Sequence, residues 1–260
     1  MMVDGEEGVP RPGVQGAAAV TKGLRLLQVI AELGSEATIR NIQAHLEMPR
    51  PTVYRLLNTL EQERFVERNP EGGEYVLGRS LLRLTQQSLA RSSLQERARA
   101  TLRAIGKQTG ETVHLGVPFG CHMTFVDKVE SPEAVRMASY IGMPVPMHST
   151  SVGKAYLATL DEATREQYLA QLTLEPVTHR TCTTLEALRN ELTLTRERGY
   201  AIDDEENELG IICFGQAVRG ADGRVEGAIS VSVPRYRLPD DGQQRILECI
   251  RSLCRDAGLV

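Results

Sequence analysis

The segment 50–63 carries side chains whose types and spacing suit contact with nucleic acid. Its apolar residues recur at helical spacing and define one face, made of Val53, Leu56, Leu57 and Leu60. Much of the remaining surface is polar, with Arg50, Thr52, Tyr54, Arg55 and Asn58. Guanidinium groups donate hydrogen bonds in pairs, and hydroxyls and amides both donate and accept, so these side chains suit phosphates and base edges. The pattern predicts a helix that buries one face and presents the other to a duplex.

A second polar pattern lies in the last apolar run of the chain. Ile229, Val231 and Val233 alternate there with Ser230 and Ser232, so a strand would place the two hydroxyls on one face. Two such hydroxyls suit a small polar ligand, and they are equally common on solvated sheet faces. Spacing alone leaves both interpretations open.

A loop rich in hydroxyls, Ser149 to Ser151, precedes a predicted helix at 151–160, and Gly153 follows closely. The first amides of a helix have no helical acceptor, and they lie at the positive end of the helix dipole. Such a helix start can hold an anion. The sequence therefore contains a second candidate position for an acidic ligand.

The residues from 20 to 49 predict two shorter helices. The first has Thr21 as its expected N-cap and ends at Gly34-Ser35. Its apolar residues form two adjoining stripes, Leu24, Leu27 and Ala31 beside Leu26, Ile30 and Leu33. The second helix has Thr38 as its expected N-cap, with Ile42 and Leu46 at i, i+4 spacing.

A hairpin is predicted directly after the third helix. Strands at 65–68 and 74–77 flank the Gly-rich loop 69–73, and Arg68 lies near the tip. Three helices followed by a hairpin is the order of a winged helix-turn-helix, whose third helix enters a major groove while the wing contacts the backbone. A small helical domain without a nucleic-acid role is the alternative, and Arg68 on the wing favours DNA.

The second half of the chain predicts an antiparallel sheet flanked by helices. Its strand-like runs are 112–117, 124–129, 134–138, 211–218 and 225–233. The last two flank a turn that contains Asp222-Gly223, which is a strong hairpin signal. Helices are predicted at 94–110, 151–160, 162–171, 184–198 and 243–257.

Composition excludes several classes of protein. The 260 residues are 41% hydrophobic and 25% charged, so the chain is not disordered throughout. No apolar run approaches the ~18 residues that cross a bilayer, and residues 1–15 lack a signal-peptide core. Five cysteines without a Cys-x-x-Cys pair indicate reduced thiols, which predicts a cytoplasmic protein. The formal charge is -4, but residues 80–107 carry +5, which suits either a phosphate-facing surface or a solvated helix face.

Motifs for catalysis or metal binding are missing from the sequence. Gly153-Lys154 is reminiscent of a phosphate-binding loop, but position 148 is His and position 155 is Ala, so the match fails. Lys154 is expected in a structural or subunit contact instead. The five histidines show no metal-ligand spacing, and no Gly-x-Ser-x-Gly motif occurs. We therefore predict neither an enzyme nor a metal or other cofactor.

Three stretches of the chain are similar to one known family. They are "RPTVYRLLNTLEQERFVERNPEGGEYVLG" (50–78), "GMPVPMHSTSVGKAYLA" (142–158) and "GYAIDDEENELGIICFGQAVRGADGRVEGAISVSVP" (199–234). In order and spacing they resemble the isocitrate lyase regulator (IclR) family of bacterial transcription factors over about residues 20–258. Pro51 departs from the Ser that usually precedes the Thr of the third helix, so the hydroxyl contact that this Ser implies does not carry over to position 51, whereas the helix does.

The resemblance implies an α+β protein in four parts. A flexible tail at 1–19 would precede a winged helix-turn-helix DNA-binding domain at 20–78. A linker helix at 79–93, both leucine-rich and basic, would join it to an effector-binding and oligomerisation domain of GAF-like architecture at 94–260. The family usually forms dimers or tetramers, so the resemblance also implies a homo-oligomer.

The resemblance further implies a site for a small carboxylic acid. In relatives the acid is held by main-chain groups at a helix start, which correspond here to Ser151 and Val152, and by a residue of an acidic loop, which corresponds to Asp203. Strand residues complete the site in relatives, and they correspond here to Ile211, Cys213, Ser230 and Ser232. Val152 replaces a smaller residue and would narrow the pocket. Glu205 and Glu206, which follow Asp203, are expected to form a solvated loop. The segment 127–136 is similar to that of sugar-acid and keto-acid regulators, which favours those acids over aromatic ones.

The sequence thus predicts an effector-responsive transcriptional repressor of an organic-acid or sugar-acid catabolic operon. Its expected partners are operator DNA, a small acid and a second copy of itself. Contacts with DNA are expected from Thr38, Arg50, Pro51, Thr52, Tyr54, Arg55, Asn58 and Arg68. Two alternatives stay open, namely an enzyme with its active site in the second domain and a ligand-sensing module whose helical domain binds protein.

Overall fold

The protein forms two compact units, the first ending at Arg91 and the second beginning at Ser92. The structure, a computed structural model, describes residues 17–69, 72–81, 83–84, 93–135, 137–220 and 222–260. Of the predicted linker helix 79–93, residues 79–81 and 83–84 are helical and most of the rest lies outside the described residues, as does the predicted tail up to residue 16. No helix among the described residues is long and apolar enough to cross a membrane.

The first unit is a three-helix domain with a two-stranded wing. Its elements are α1 (Ala18–Leu33), a short 3-10 turn (Gly34–Glu36), α2 (Ile39–Leu46), α3 (Arg50–Gln62), β1 (Val66–Arg68) and β2 (Tyr75–Leu77). The strands pair antiparallel, and the amide of Tyr75 donates to the Ala37 carbonyl at 2.9 Å, which ties the wing to the segment before α2. This order confirms the predicted winged helix-turn-helix.

The core of this unit lies between the three helices and the wing. Its buried side chains are Leu26, Val29, Ile30, Ala37, Ile42, Leu46, Val53, Leu57, Val66 and Tyr75. The face that the sequence predicts for α3 is therefore confirmed, with Val53 and Leu57 buried and Leu56 and Leu60 packed against them. Burial of these side chains leaves the polar side of α3 outside the core.

The start of α1 differs from the prediction. The helix begins at Ala18 with Ala17 as its N-cap, and Thr21 lies one turn inside, where its hydroxyl donates to the Ala17 carbonyl at 3.2 Å. Thr21 as N-cap is therefore wrong, because alanines extend a helix readily and need no polar cap to do so. Of the two predicted stripes, the one with Leu26 is buried, whereas Leu24 is 58% exposed.

The other helix ends follow the sequence signals. Gly34 closes α1 with a positive φ of 51°. Thr38 caps α2 as predicted, since its hydroxyl accepts from the Asn41 amide at 3.4 Å. Pro51 lies in the first turn of α3, where its missing N–H leaves no helical bond unmade.

The second unit is a six-stranded antiparallel sheet with helices on both faces. Its elements are α4 (Ser93–Thr109), β3 (Thr112–Phe119), β4 (His122–Val129), β5 (Pro144–Pro146), α5 (Ser151–Thr159), α6 (Glu162–Leu169), α7 (Leu185–Arg198), β6 (Ala201–Asp204), β7 (Ile211–Arg219), β8 (Val225–Pro234), a 3-10 turn (Arg235–Arg237) and α8 (Gly242–Asp256). The strand order is β5-β4-β3-β8-β7-β6. This is the predicted α+β arrangement.

The two faces of this sheet meet different helices. Helices α4 and α8 pack on the face that carries Val113 and Val129, where a side chain at Gly106 of α4 would contact both valines. Helix α5 packs on the opposite face, together with Met123, Phe125 and Ala228. Residues 151–158 of α5 are all buried, so this helix lies inside the domain rather than on its surface.

The edges of the sheet are where the prediction fails. The predicted strand 134–138 is wrong for its described residues, and β4 pairs instead with β5. The Pro-Val-Pro sequence of β5 does not resemble a strand because proline is rare in strands. An edge strand tolerates proline, since one side of it makes no ladder hydrogen bonds. Strand β6 was also missed, since its Asp203-Asp204 pair is typical of a loop.

Glycines let α5 approach the sheet closely. A Cβ on Gly215 of β7 would lie 2.5 Å from the Ser151 carbonyl oxygen, and one on Gly116 of β3 would touch Val152 at 3.4 Å. A side chain at Gly153 would collide with the backbone of Met147. The start of α5 is therefore held against the middle of the sheet, and at Gly215 and Gly153 the backbone approach leaves no room for a side chain.

The space around each glycine predicts opposite effects on stability for two glycine-to-alanine substitutions, one at the close approach and one in α1. Gly215→Ala is expected to destabilise the second unit by about 1–3 kcal/mol, because the added methyl overlaps the Ser151 carbonyl. Gly23→Ala in α1 adds a methyl with nothing within 4 Å, and it is expected to stabilise the first unit by about 0.5–1 kcal/mol through helix propensity. Denaturant unfolding measures both, and equal effects of the same sign would contradict the packing.

Candidate nucleic-acid interface and ligand site

The outer face of α3 carries four exposed polar side chains. Arg50, Tyr54, Arg55 and Asn58 are all exposed, whereas Val53 and Leu57 are buried. The Arg50 guanidinium donates to the Tyr54 hydroxyl at 3.5 Å and lies 5.7 Å from the centre of the ring. This face combines two cations with neutral groups that donate and accept, as base edges and phosphates require.

Three other predicted contact residues occupy different surroundings. Pro51 is exposed on the outer face, whereas Thr52 is half-buried on the flank of α3 that faces α1. The hydroxyl of Thr38 is engaged in capping α2. Arg55 lines the same flank as Thr52, so the structure keeps Pro51 and Thr52 close to arginines of α3, whereas the Thr38 hydroxyl is already used at the start of α2.

Arg68 stands at the end of β1, where the wing turns. Its guanidinium donates to the Gly73 carbonyl at 3.4 Å and lies 6.0 Å from the centre of the Tyr75 ring. The side chain is exposed and belongs to the same unit as α3. It is therefore available to a phosphate beside the groove that α3 would enter.

In the second unit, two rows of polar residues cross the sheet on the face covered by α5. Directly paired residues of neighbouring antiparallel strands share a face, so the strand register defines each row. The first row joins Asp203, Cys213, Ser232 and Thr112 across β6, β7, β8 and β3. The second row joins Gly215, Ser230, His114 and Lys128 across β7, β8, β3 and β4.

The two serines that the sequence singled out are buried. Ser230 and Ser232 are each 3% exposed, which excludes the solvated sheet face. The Cys213 thiol donates to the Ser232 hydroxyl at 3.2 Å, and burial raises the pKa of this thiol well above its usual value. Ile211 lies two residues before Cys213 on the same face and is half-buried. These four predicted residues therefore share one face of two adjacent strands.

The start of α5 lies over these rows. The Thr150 hydroxyl caps the helix by accepting from the Gly153 amide at 3.2 Å, which leaves the first-turn amides of Ser151 and Val152 without a helical acceptor. The Val152 side chain is 1% exposed and packs in the core against Gly116. The side chain of Val152 fills space between helix and sheet, so the predicted contact of this residue with a ligand rests on its main-chain amide.

Asp203 faces the same space from β6. It is 3% exposed, and one carboxylate oxygen accepts from the Glu206 amide at 2.9 Å and the Asn207 amide at 3.2 Å. Burial raises the pKa of Asp203 to about 7, against the opposing effect of the Lys154 ammonium. Near neutral pH this carboxyl therefore exists partly as the acid, which can donate a hydrogen bond.

A buried ion pair connects α5 to the acidic loop that follows β6. Lys154 of α5 is completely buried, contacts Glu206 directly and lies 3.7 Å from Glu191 of α7. Glu206 is 9% exposed, so the expected solvated position is wrong for this residue, because it neutralises a buried ammonium. The side chain of Glu205 is 14% exposed and pairs with Arg235, so it is not freely solvated either.

Sequence reasoning missed three residues of these rows. Thr112, His114 and Lys128 lie on strands that read as ordinary core, and only the register shows that they continue the rows of Ser232 and Ser230. Thr112 and His114 alternate with apolar Val113 and Leu115, which is the signal that could have found them. Burial, and then the nearby Lys128, lower the pKa of His114 to about 3, so its ring is neutral.

The described residues contain no cluster of three or more His, Cys, Asp or Glu that could hold a metal ion.

Two family models account for most of the chain. The IclR helix-turn-helix domain matches residues 19–70, and the C-terminal domain of the bacterial transcriptional regulator IclR matches residues 86–258. The chain belongs to the IclR family.

Individual relatives in the IclR family match along nearly their whole length. The HTH-type transcriptional regulator XynR of Escherichia coli is 32% identical over 222 residues, 85% of this chain and 88% of the other. The transcriptional repressor IclR of Escherichia coli is also 32% identical, over 88% of this chain and 85% of its own. The crystal structure of the Thermotoga maritima IclR aligns with a TM-score of 0.80 at 30% identity, covering 92% and 97% of the two chains.

IclR-family membership establishes the general function. The chain is a transcriptional regulator with a helix-turn-helix DNA-binding domain and a C-terminal effector-binding domain. The family consists of regulators rather than enzymes, which decides against an active site in the second unit. The polar rows beneath α5 therefore lie in the effector-binding domain of an IclR-family regulator.

The raised pKa of Asp203 makes a prediction for this regulator. Between pH 3.8 and about 7 the folded protein binds one proton more than the unfolded chain, so the free energy of unfolding falls as pH rises through this window. An amide at this position does not titrate, so Asp203→Asn removes the fall in the free energy of unfolding with rising pH. The amide oxygen still accepts from the Glu206 and Asn207 amides. The variant is expected to gain stability over the wild type as pH rises from 5 to 8, by up to a few kcal/mol.

Thermal unfolding of both proteins across this pH range measures the difference. Asp222→Asn, on a side chain that is 57% exposed, is the matched control. A stability difference between Asp203→Asn and the wild type that stays constant from pH 5 to pH 8 would contradict the raised pKa.

Proposed function

We propose that this protein is a repressor that binds a pseudo-palindromic operator as a homo-oligomer and senses a small carboxylic acid in its second unit. One observation carries the proposal: buried hydroxyls and a partly protonated carboxyl lie under the unpaired amides of the α5 start, in a chain that also carries a winged helix-turn-helix. Because its partner is the bacterial chromosome, we also propose a cytoplasmic location.

DNA is bound mainly by α3 and the wing. Arg50, Arg55 and Asn58 project from the exposed face of α3 and are assigned to the major groove, while Arg68 on the wing is assigned to the backbone. The complete set of proposed contacts is Thr38, Arg50, Pro51, Thr52, Tyr54, Arg55, Asn58 and Arg68. In a dimer, two such helices enter successive major grooves about one helical turn of DNA apart.

The acid is held between α5 and the sheet. Its carboxylate accepts from the amides of Ser151 and Val152, at the positive end of the helix. The hydroxyls of Ser230 and Ser232 hydrogen-bond to its oxygens, and the protonated fraction of Asp203 adds a donor. Cys213 and Ile211 supply the less polar wall, so the site combines anion binding with an apolar lining.

Effector binding acts on DNA through differential affinity. An acid that binds one arrangement of the subunits more tightly shifts the population towards it, and operator affinity follows. Allosteric coupling of this kind is typically 1–3 kcal/mol, which corresponds to about 5–150-fold in affinity. The acid therefore has to bind more tightly to the arrangement with low operator affinity.

The first test concerns the DNA contact of α3. Arg55→Ala is expected to weaken operator binding at least about tenfold, because it removes a bidentate donor from the exposed face of α3. Arg224→Ala, on a side chain 87% exposed in the β7–β8 turn, is the matched control and is expected to bind as the wild type does. Titration of operator DNA at two salt concentrations measures both, and an unchanged affinity for Arg55→Ala would contradict the assignment.

The second test concerns the effector site. The double variant Ser230→Ala with Ser232→Ala is expected to lose its response to the acid while it still binds the operator, because two buried donors are removed from the proposed site. Within the described residues, the only other hydrogen bond of these two hydroxyls is the one that Ser232 accepts from the Cys213 thiol, which lies within the same unit. Release of operator DNA by added acid measures the response. Normal release from the double variant would remove these strands from the site.

A further inference from the structure

The exposed side of α3 carries a stripe of four residues along its middle. Pro51, Arg55, Asn58 and Gln62 recur at i, i+4, i+7 and i+11, and all four are exposed. At about 3.6 residues per turn, this central stripe points away from the apolar side of α3 that packs in the core. It is therefore the part of the helix best placed to face a duplex.

Acidic side chains border the central stripe on both sides but do not belong to it. Glu61 follows Tyr54 by seven residues, which places it on the flank of α3 that carries Arg50 and Tyr54. Glu63 lies on the opposite flank, which faces α1. The phosphates of DNA repel carboxylates, so the residues between the two flanks are the ones that suit the floor of a groove.

Arg55 and Asn58 are the members of the central stripe whose side chains are free to bind a base. Within the described residues, neither side chain makes a hydrogen bond or an ion pair. Arg55 lies at the edge of the stripe nearest α1, and it is exposed. Asparagine is a poor helix former, and at Asn58 no hydrogen bond within the described residues offsets this. Pro51 has no side-chain donor or acceptor, and Gln62 lies at the end of α3, whereas recognition helices contact bases mainly through residues nearer their start.

We propose that Arg55 and Asn58 read two nearby base pairs of the operator, with Arg55 bound to a guanine and Asn58 bound to an adenine. This inference rests on the proposed DNA contact of α3, and it adds the bases that this contact recognises. In the major groove guanine presents two acceptors, O6 and N7, which match the paired donors of a guanidinium. Adenine presents the N7 acceptor beside the N6 donor, which match the donor and the acceptor of an asparagine amide.

The spacing of the two residues along α3 sets the spacing of the two bases. Asn58 follows Arg55 by three residues, which is a rise of about 4.5 Å along the helix. Neighbouring base pairs are about 3.4 Å apart along the duplex. The guanine and the adenine are therefore adjacent or separated by one base pair. In a pseudo-palindromic operator this pair of bases occurs once in each half-site, in inverted orientation.

The test measures the sequence preference of the full-length protein as well as its affinity. A pool of random duplexes is incubated with the protein, and the bound fraction is sequenced. The wild type is expected to enrich a motif with a guanine and an adenine at the predicted spacing, repeated in inverted orientation. Replacement of that adenine by 7-deazaadenine removes its N7 acceptor. This replacement is expected to weaken binding of the wild type and to leave binding of Asn58→Ala unchanged.

Three variants separate base contacts from phosphate contacts. Arg55→Lys keeps the charge that a phosphate needs but loses the paired donors, so it is expected to reduce the preference for the guanine at least about fivefold. Asn58→Ala is expected to reduce the preference for the adenine by a similar factor and to keep the guanine. Arg68→Ala on the wing is the matched control, since loss of a backbone contact weakens all sequences equally. Thermal unfolding equal to that of the wild type shows that each variant is folded.

The outcomes separate this inference from the proposed function. An enriched motif that stays the same in Arg55→Lys and Asn58→Ala would overturn the assignment of these bases and leave DNA binding by the protein standing. A wild-type motif without a guanine and an adenine at the predicted spacing would also overturn it. Failure of the wild type to bind any duplex at low salt would contradict both the base assignment and the proposed operator binding.

Discussion

The second unit depends on how closely the start of α5 approaches the sheet. Gly215 and Gly116 carry no side chain at the two points where the helix backbone and Val152 meet the strands. A larger residue at Gly215 would displace the Ser151 carbonyl, and with it the free amides of the first turn. Ser230 and His114 lie on the same face of the sheet as Gly215, so α5 packs on the face that carries the polar rows.

The packing of α5 against the sheet also buries a charged side chain, the ammonium of Lys154. Lys154 on α5 is fully enclosed, and it is tolerated because Glu206 and Glu191 lie against it. That pair holds the turn after β6, whose amides bind Asp203. The acidic run that looks like a solvated loop in sequence is thus a structural connection between α5 and β6. It sets the protonation of Asp203 by excluding water from the carboxyl.

Local signals predicted most of the fold. Helical periodicity located α3 and its buried face, and the Asp222-Gly223 turn located the β7–β8 hairpin, because these signals act over neighbouring residues. The edge strands failed for a physical reason. A strand such as β5 exists through hydrogen bonds to β4, and its own composition opposes it. Hydrogen bonding to a segment far along the chain is not visible in the local pattern of apolar and polar residues.

The sequence by itself determined the winged helix-turn-helix order, the outward polar side of α3, and the alternation that places Ser230 and Ser232 on one face, since each follows from backbone periodicity. Only the tertiary structure decided that these serines are buried, and that His114 and Lys128 continue their row. Strand register joins residues more than a hundred positions apart. The surroundings of a side chain, and hence its charge and its free hydrogen bonds, arise from that long-range pairing.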